Sequence, residues 1–324
     1  MTSSTQASEP EPLSPDQQLP PGPGARYRIT HRTEYQYSDV VTSSYGRGFL
    51  TPRDLLRQRC LFHDLRISPT PGDRSTSRDT YGNTSSYFHV TEPHRTLTIT
   101  SESIVEVYPA PPERWGAGPA LAPWEHSRPA GARGALATEF TLDLNPPEIT
   151  DEVRDYAAPS FAPQRPLVEV LGDLTSRIYT DFTYRSGSTT VSTGVKEVLT
   201  AREGVCQDFA RLAIACLRAN GLAASYVSGY LATNPPPGKE RMIGIDATHA
   251  WAAVWTPQPP GQFEWLGLDP TNNQMVDERY VIVGRGRDYA DVPPLRGIIY
   301  TNAKKSKIDV AVDVVPYEGD ELNA

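Results

Sequence analysis

A helical repeat that begins at a cysteine limits the possible folds of this chain more than any other feature of its sequence. Residues Arg202–Val205 form a turn, and apolar residues with helical spacing follow Cys206, namely Phe209, Leu212, Ala213, Cys216 and Leu217. Asn220-Gly221 then supplies a helix stop signal. A thiol in the first helical turn faces unpaired backbone N–H groups and the positive end of the helix dipole, which favour the nucleophilic thiolate. Cys206 is therefore a candidate nucleophile that needs a base.

Two strand patterns joined by a proline-rich turn follow this helix. The first, Thr248–Trp255, alternates small and large residues, and the second, Phe263–Asp269, ends before a proline. The intervening segment, Thr256–Gln262, is rich in proline and contains a glycine, so the unit is predicted to be a hairpin. With a further strand pattern at Ser225–Leu231, a helix against antiparallel strands indicates an α+β arrangement.

The hairpin brings His249 and Asp269 together if an aromatic pair closes it. With Trp255 opposite Phe263, counting back along both strands places His249 opposite Asp269 and on the same side of the sheet. Directly opposed residues have Cβ atoms about 4.5–5.5 Å apart, so the imidazole reaches the carboxylate. This register is an assumption, because a slip of one residue sends the two side chains to opposite faces.

These positions predict a Cys–His–Asp triad in which Asp269 orients His249 and His249 accepts the proton of Cys206. The structural alternatives are a buried apolar cysteine, a sheet histidine and an aspartate in an Asp-Pro turn. Chain order alone does not bring the helix and the hairpin together, so the triad is a hypothesis at this point.

Several segments of the chain resemble the transglutaminase-like superfamily of papain-related thiol enzymes. They are Arg202–Ala210, Gly221–Leu231, Thr248–Trp251 and Leu268–Asn272. Asp79–Thr84 and Gly286–Pro294 further resemble segments of a microbial branch with an all-β N-terminal domain. The resemblance runs from about Tyr27 to the last strands. It implies an α+β fold in which an N-terminal antiparallel β-sandwich precedes a transglutaminase/papain-like core, with the nucleophile helix packed on an antiparallel sheet.

The resemblance also implies roles for individual residues. The family's nucleophile falls on Cys206, its base on His249 and its orienting acid on Asp269, the three residues that the local patterns select. The backbone N–H of Cys206, at the helix start, is a predicted donor to the oxyanion. Further candidates for oxyanion or substrate contacts are Tyr184, Gln207 and Trp251.

The predicted activity is thiol-dependent acyl transfer on a peptide or peptide-like amide, through an acyl-thioester on Cys206. Water as the acceptor gives a cysteine peptidase or amidase, and an amine as the acceptor gives transglutaminase-type transamidation. We expect hydrolysis, because microbial relatives are implied to be proteases or amide hydrolases more often than cross-linking enzymes. A catalytically inactive binding module is the alternative of a different class. A peptide or protein substrate is the expected partner, and no cofactor is expected.

The composition argues against several other classes of protein. The chain has 324 residues and a net charge of −8, which disfavours nucleic acid or an anionic membrane as the main partner. It has no apolar stretch of about 18 residues, no secretory signal pattern, and three cysteines without disulfide or metal-ligand spacing. We therefore predict that the protein is cytoplasmic and that it binds no metal. The oligomeric state is left open. The N-terminal histidines are interpreted as strand-face residues: His31, His63, His89 and His94.

Changes in composition along the chain predict four parts. Residues 1–25, rich in Pro, Ser, Glu and Gln, are expected to be a disordered leader. Residues 26–108 carry alternating strand patterns and form the predicted β-sandwich domain. Residues 109–134 are a Pro/Ala/Gly-rich connector in which Trp115 and Trp124 are candidate anchors. Residues 135–324 form the predicted catalytic domain, whose closing strand, Ile308–Val315, is a candidate to pair with the sandwich.

Overall fold

The computed structural model describes residues 24–110, 118–144, 146–233, 248–257 and 265–319. Its strands are β1 (Ala25–Gly48), β2 (Gln58–Ser68), β3 (Asp73–Arg78), β4 (Thr84–Val90), β5 (His94–Val107), β6 (Thr183–Tyr184), β7 (Glu203–Gly204), β8 (Ala224–Leu231), β9 (His249–Trp255), β10 (Trp265–Asp269), β11 (Gln274–Met275), β12 (Tyr280–Gly286), β13 (Leu295–Thr301) and β14 (Ser306–Pro316). Its α-helices are α1 (Gly131–Gly134), α2 (Asp151–Ala157), α3 (Leu167–Asp181), α4 (Val195–Ala201) and α5 (Cys206–Ala219). Short 3₁₀ helices lie at Gly118–Ala120, Trp124–Ser127, Thr138–Thr141 and Tyr289–Asp291.

The N-terminal sheet is antiparallel and is built around the long strand β1. The first part of β1 pairs with β5 on one side and β14 on the other, and its last part pairs in the same way with β4 and β13. Strands β2 and β3 extend the sheet beyond β5 and β4. Alternate residues of β1, such as Tyr27, Ile29 and Tyr37, are buried as their spacing predicts. The predicted antiparallel N-terminal region is confirmed.

The C-terminal strands belong to this N-terminal sheet. The predicted closing strand is present as β14, which pairs with β1 from Tyr27 opposite Pro316 to Tyr37 opposite Ser306. Strand β13 pairs with the end of β1, with Tyr45 opposite Ile298. The division of the sequence at residue 135 placed these strands with the catalytic domain, whereas their hydrogen bonds join them to the first sheet.

The second sheet carries the helix that begins at Cys206. Its strands follow the order β11–β10–β9–β8–β12, and α5 packs on β8 and β9 through one continuous apolar core. Helices α2, α3 and α4 pack around α5. The apolar stripe predicted for α3 is fully buried in this core, at Leu167, Val170, Leu171, Leu174 and Ile178. This arrangement confirms the predicted α+β class.

The two sheets meet through an apolar cluster and a hydrogen bond. Ile29, Val312 and Val314 of the first sheet pack with Tyr230 and Val281 of the second. Next to this cluster, His31 Nδ1 lies 3.0 Å from the Tyr230 hydroxyl. Packing of this kind holds the second sheet against the face that β1 and β14 form together.

The connector contributes one anchor. Trp124 is 5% exposed, its ring packs edge-on against Phe161 at 5.2 Å, and its Nε1–H donates to the Ala162 carbonyl over 3.0 Å. Trp115 and most of the predicted leader lie outside the described residues, and Ala25 already begins β1.

The histidines of the N-terminal sheet hydrogen-bond to hydroxyl groups. His63 lies between Ser103 (3.0 Å) and Thr51 (3.0 Å), and His31 contacts Thr33 at 3.2 Å in addition to Tyr230. Burial lowers the pKa of His31 and of His63 to about 4. These imidazoles are therefore neutral at physiological pH, which suits the strand-face interpretation.

Acid should weaken the fold through these histidines. His31 takes up a proton near pH 6.5 in the unfolded chain but only near pH 4 in the folded chain. The stability that neutral His31 contributes is therefore fully present above pH 6.5 and is lost as the pH falls toward 4. The expected loss is about 3 kcal/mol of unfolding free energy for His31. Urea unfolding of wild type and His31→Gln at pH 7 and pH 4.5 measures most of this loss, because the difference in unfolding free energy between the two proteins should shrink by about 2 kcal/mol over this interval. His126→Gln, an exposed histidine in a 3₁₀ helix, is the control. An unchanged difference for His31→Gln would contradict the prediction.

Among the described residues, no helix combines the length and apolar character that crossing a bilayer requires.

Candidate active site

A tight turn places Cys206 at the first position of α5. Arg202 ends α4 in the left-handed conformation (φ 54°), and the next two residues form β7, which pairs in parallel with β6. Gly204 is required there, because a Cβ at this position would lie 2.9 Å from the Asp208 Cβ. The Asp208 carboxylate accepts the Val205 N–H over 2.8 Å and the Thr189 hydroxyl over 2.6 Å. This network fixes the turn that delivers the thiol.

The environment of Cys206 differs from that of the other two cysteines. Cys206 is half-buried at a helix N-terminus, where free N–H groups and the helix dipole favour an anion. Burial raises the pKa of the Cys60 and Cys216 thiols to about 12, so they stay protonated at physiological pH. Cys60 and Cys216 are structural residues, and Cys206 is the one placed for nucleophilic chemistry.

The hairpin register differs from the one assumed from the sequence. Trp255 pairs with Trp265, and Ala252 pairs with Leu268, so the ladder is shifted by two residues. The assumed pairing of Trp255 with Phe263 is wrong, and Phe263 itself lies outside the described residues. Because side chains alternate with a period of two, this shift keeps His249 and Asp269 on the same face.

The structure brings Cys206, His249 and Asp269 together. His249 Nε2 lies 2.7 Å from Asp269 Oδ2, and the same imidazole hydrogen-bonds to the Cys206 thiol. Since Nε2 faces the carboxylate, Nδ1 is the nitrogen available to the sulfur. The His249 side chain is 11% exposed and that of Asp269 is 0% exposed. Diagonal positions on one sheet face thus bring imidazole and carboxylate into contact without direct opposition.

The charge state of His249 is set by its two partners. Burial alone would lower the pKa of His249, but the hydrogen bonds and negative charges of Asp269 and Cys206 raise it to about 10. Burial would raise the pKa of Asp269, but the hydrogen bond and charge of His249, with the Asn272 and Tyr280 hydrogen bonds, lower it. The pair is therefore an imidazolium and a carboxylate at neutral pH, and a protonated imidazole beside a thiol stabilises its thiolate.

Three further groups hold the Asp269 carboxylate, and the sequence patterns did not single them out. Asn272 Nδ2 donates to Oδ2 over 2.7 Å, and the Tyr280 hydroxyl donates to the same oxygen over 2.7 Å. The backbone N–H of Thr271 donates to Oδ1 over 2.9 Å. Asn272 and Thr271 follow Asp269 in the Asp-Pro-Thr-Asn turn and could have been inferred from it. Tyr280 comes from the next long strand and has no local sequence signal.

The other candidate residues lie in different environments. Tyr184 pairs with Gly204 in the turn before Cys206, is 55% exposed, and has a pKa raised by burial and by the charge of Cys206. Gln207 is half-buried next to Cys206. Trp251 is 1% exposed and packs 5.9 Å from the His249 ring, behind the imidazole and away from solvent. Tyr184 is exposed and Gln207 is partly exposed, so both stay candidate substrate contacts, whereas the buried Trp251 packs beside the histidine.

This geometry places a thiol, an imidazole and a carboxylate in series. The Cys206 sulfur at the helix start can attack a carbonyl carbon, and the protonated His249 can donate to a departing amine. Backbone N–H groups at the same helix start are candidate donors to an oxyanion. The arrangement suits acyl transfer by a thiol.

Comparison with known proteins identifies the family. The bacterial transglutaminase-like N-terminal region matches residues 27–106, and the transglutaminase-like superfamily core matches residues 154–270. An uncharacterized protein of Mycobacterium tuberculosis is 80% identical over 299 residues, which are 92% of this chain and 95% of that one. An uncharacterized protein of Mycobacterium leprae is 31% identical over 299 residues, covering 89% and 98% of the two chains.

The fold is similar to that of a solved structure. A crystal structure described as a "putative cysteine protease" from Cytophaga hutchinsonii superposes with a TM-score of 0.67 at 19% identity, covering 92% of this chain and 95% of that one. The second sheet, with Cys206 at the start of α5, lies largely within the matched superfamily core. The chain therefore belongs to the transglutaminase-like superfamily and carries the bacterial transglutaminase-like N-terminal region.

Proposed function

We propose that this protein is a cysteine peptidase or amidase that hydrolyses a peptide or peptide-like amide through an acyl-thioester on Cys206. The observation that carries the proposal is the contact of the Cys206 thiol with His249, whose other nitrogen lies 2.7 Å from the buried Asp269. Cys206 lies at a helix start, and His249 and Asp269 lie on the two strands of a hairpin further along the chain. A purely structural role for these residues would not require them to meet.

The first half of the reaction forms the thioester. The Cys206 sulfur attacks the amide carbonyl, the carbonyl electrons move to oxygen, and the backbone N–H of Cys206 stabilises the resulting oxyanion. The intermediate collapses as the C–N bond breaks. His249 gives its proton to the departing amine, while the Asp269 carboxylate keeps the imidazole oriented.

The second half releases the acid. Neutral His249 takes a proton from water, whose oxygen attacks the thioester carbonyl, and the C–S bond breaks to return Cys206 as the thiolate. The ion pair of thiolate and imidazolium is then restored. This sequence needs no metal or organic cofactor, and the absence of a cofactor stays a prediction.

Support for hydrolysis over transamidation comes from the structural neighbour. The Cytophaga hutchinsonii protein with a similar fold is described as a "putative cysteine protease", which favours water as the acceptor. The triad serves both reactions, because they differ only in the group that resolves the thioester. We propose a cytoplasmic location, because a reducing compartment keeps a thiol nucleophile active. We also propose that a peptide or a protein is the substrate.

Product analysis separates the two reactions. When a peptide library containing glutamine is incubated with the protein and an excess of glycine ethyl ester, we expect cleaved peptides and no amine adducts in mass spectrometry. Cys206→Ala under the same conditions is the control and should give neither product. Amine adducts as the main product would assign transamidation. Neither product from the wild type, together with a Cys206 that iodoacetamide labels only near pH 8.5, would indicate a binding module.

A further inference from the structure

We propose that Tyr280 is a positioning residue of the triad, whose phenol hydroxyl holds the Asp269 carboxylate in the orientation that His249 requires. The proposal deepens the proposed function, since it concerns the same triad. Its test observes His249 directly and needs no substrate, so it can fail or succeed independently of the hydrolytic assignment.

The buried Asp269 carboxylate depends on donors from the protein. This carboxylate is 0% exposed, so water cannot satisfy it and each protein donor matters. Its Oδ2 atom accepts from His249 Nε2, Asn272 Nδ2 and the Tyr280 hydroxyl, each over 2.7 Å. Asn272 is a turn residue three positions away, whereas Tyr280 lies on the separate strand β12. Tyr280 thus ties the carboxylate to the body of the sheet.

The hydrogen bonds that lead through Tyr280 to Asp269 run in one direction. A tyrosine hydroxyl has one hydrogen, which goes to Asp269, so its oxygen accepts the hydrogen bond that Gln274 Nε2 donates. Gln274 Oε1 in turn accepts from Arg279 Nη2 over 2.8 Å, and Arg279 pairs with Asp277. In this series of hydrogen bonds, from Arg279 through Gln274 and Tyr280, every donor points toward Asp269. Donors aligned in one direction reinforce one another and stabilise the carboxylate charge.

The Tyr280 ring is held in place by its packing. Tyr280 is 2% exposed and meets Trp251 edge to face, with ring centroids 5.1 Å apart. The His249 ring lies 5.9 Å from Trp251 and 6.1 Å from Tyr280. The two buried aromatic rings therefore back the imidazole, and the Tyr280 hydroxyl cannot swing away from Asp269. A site held in this way keeps its geometry without help from the substrate.

The hydrogen on His249 Nε2 reports the predicted effect. It exchanges with water only when the bond to Asp269 opens, so its exchange rate in ¹⁵N-histidine NMR measures how firmly the carboxylate is held. The chain has six histidines, and the signal is assigned by its absence in His249→Asn. In Tyr280→Phe, which removes only the hydroxyl, we expect exchange to rise about tenfold. For any amide that the enzyme hydrolyses, kcat should fall about tenfold with KM nearly unchanged.

Tyr230→Phe is the matched control. Tyr230 is also 2% exposed, lies in the same sheet and bonds one histidine, His31, through its hydroxyl. We expect this variant to leave the His249 signal unchanged. If Tyr280→Phe leaves exchange at the wild-type rate, or if Tyr230→Phe raises it equally, the positioning role is overturned.

A second variant tests the proposal in case Tyr280→Phe does not fold. Gln274→Met keeps the length of the side chain but removes the donor to the Tyr280 hydroxyl. We expect exchange of the His249 hydrogen to rise in the same direction, by a smaller factor. If Tyr280→Phe does not fold and Gln274→Met exchanges at the wild-type rate, the proposal is wrong.

Discussion

Replacing Cys206 by alanine should reduce amide hydrolysis by at least about 10⁵-fold. The sulfur is the atom that forms the acyl intermediate, and neither His249 nor the helix N-terminus can replace it as a nucleophile. A continuous assay on a peptide found by library profiling measures the loss, with circular dichroism to show that the variant is folded.

Cys60→Ala is the matched control for this experiment. Cys60 is half-buried in the N-terminal sheet, and burial raises the pKa of its thiol to about 12, so it should contribute nothing to catalysis. Iodoacetamide at neutral pH should label Cys206 and leave Cys60 and Cys216 unmodified. Hydrolysis by Cys206→Ala at more than about 1% of the wild-type rate would end the thiol mechanism.

Replacing Asp269 by alanine should lower kcat by about 10³- to 10⁴-fold and change the pH dependence of kcat/KM. In the wild type, the hydrogen bond and charge of Asp269 and those of Cys206 overcome burial and raise the pKa of His249 to about 10. His249 must be protonated to release the amine, so wild-type activity should be retained below this value and lost as pH rises through it. Without the carboxylate, only Cys206 opposes the effect of burial, so the pKa of His249 should be lower and the alkaline loss should begin at a lower pH.

Asp269→Asn separates orientation from charge. The amide oxygen can still accept from His249 Nε2, but it carries no negative charge. We expect an activity between those of the wild type and Asp269→Ala, with an alkaline limb shifted to lower pH as in Asp269→Ala. The pH dependence of kcat/KM for the three proteins decides the matter. An alkaline limb at the wild-type position in Asp269→Ala would show that the carboxylate does not control His249.

The hairpin illustrates how far local patterns carry the prediction of the site. The alternation around His249 and Asp269 determined which face each side chain occupies, and this survived a register shift of two residues. The register itself depends on the ladder with neighbouring strands, which no pattern within the hairpin specifies. His249 and Asp269 were therefore paired correctly from an incorrect strand register, because a shift of two residues leaves each side chain on the same face of the sheet.

Other parts of the site depend on residues that are far apart in the chain. Tyr280 reaches Asp269 only because β12 joins the opposite edge of the sheet and turns this ring under Trp251. Likewise, the burial of Trp251 follows from the packing of several strands. The local sequence does not show this burial, and Trp251 was therefore interpreted as a candidate substrate contact. Spacing along the chain contains no information on such contacts, since they form between elements that fold onto one another.

The sequence by itself determined the helix that starts at Cys206, the strands that carry His249 and Asp269, and the α+β class, because each follows from a short-range period of apolar residues and from turn chemistry. Tertiary structure alone decided that β13 and β14 complete the N-terminal sheet, that the imidazole reaches both sulfur and carboxylate, and that a tyrosine backs the triad. The physical reason is that the strands and side chains concerned are brought together by burial and hydrogen bonding between distant segments, which depend on how the whole chain packs.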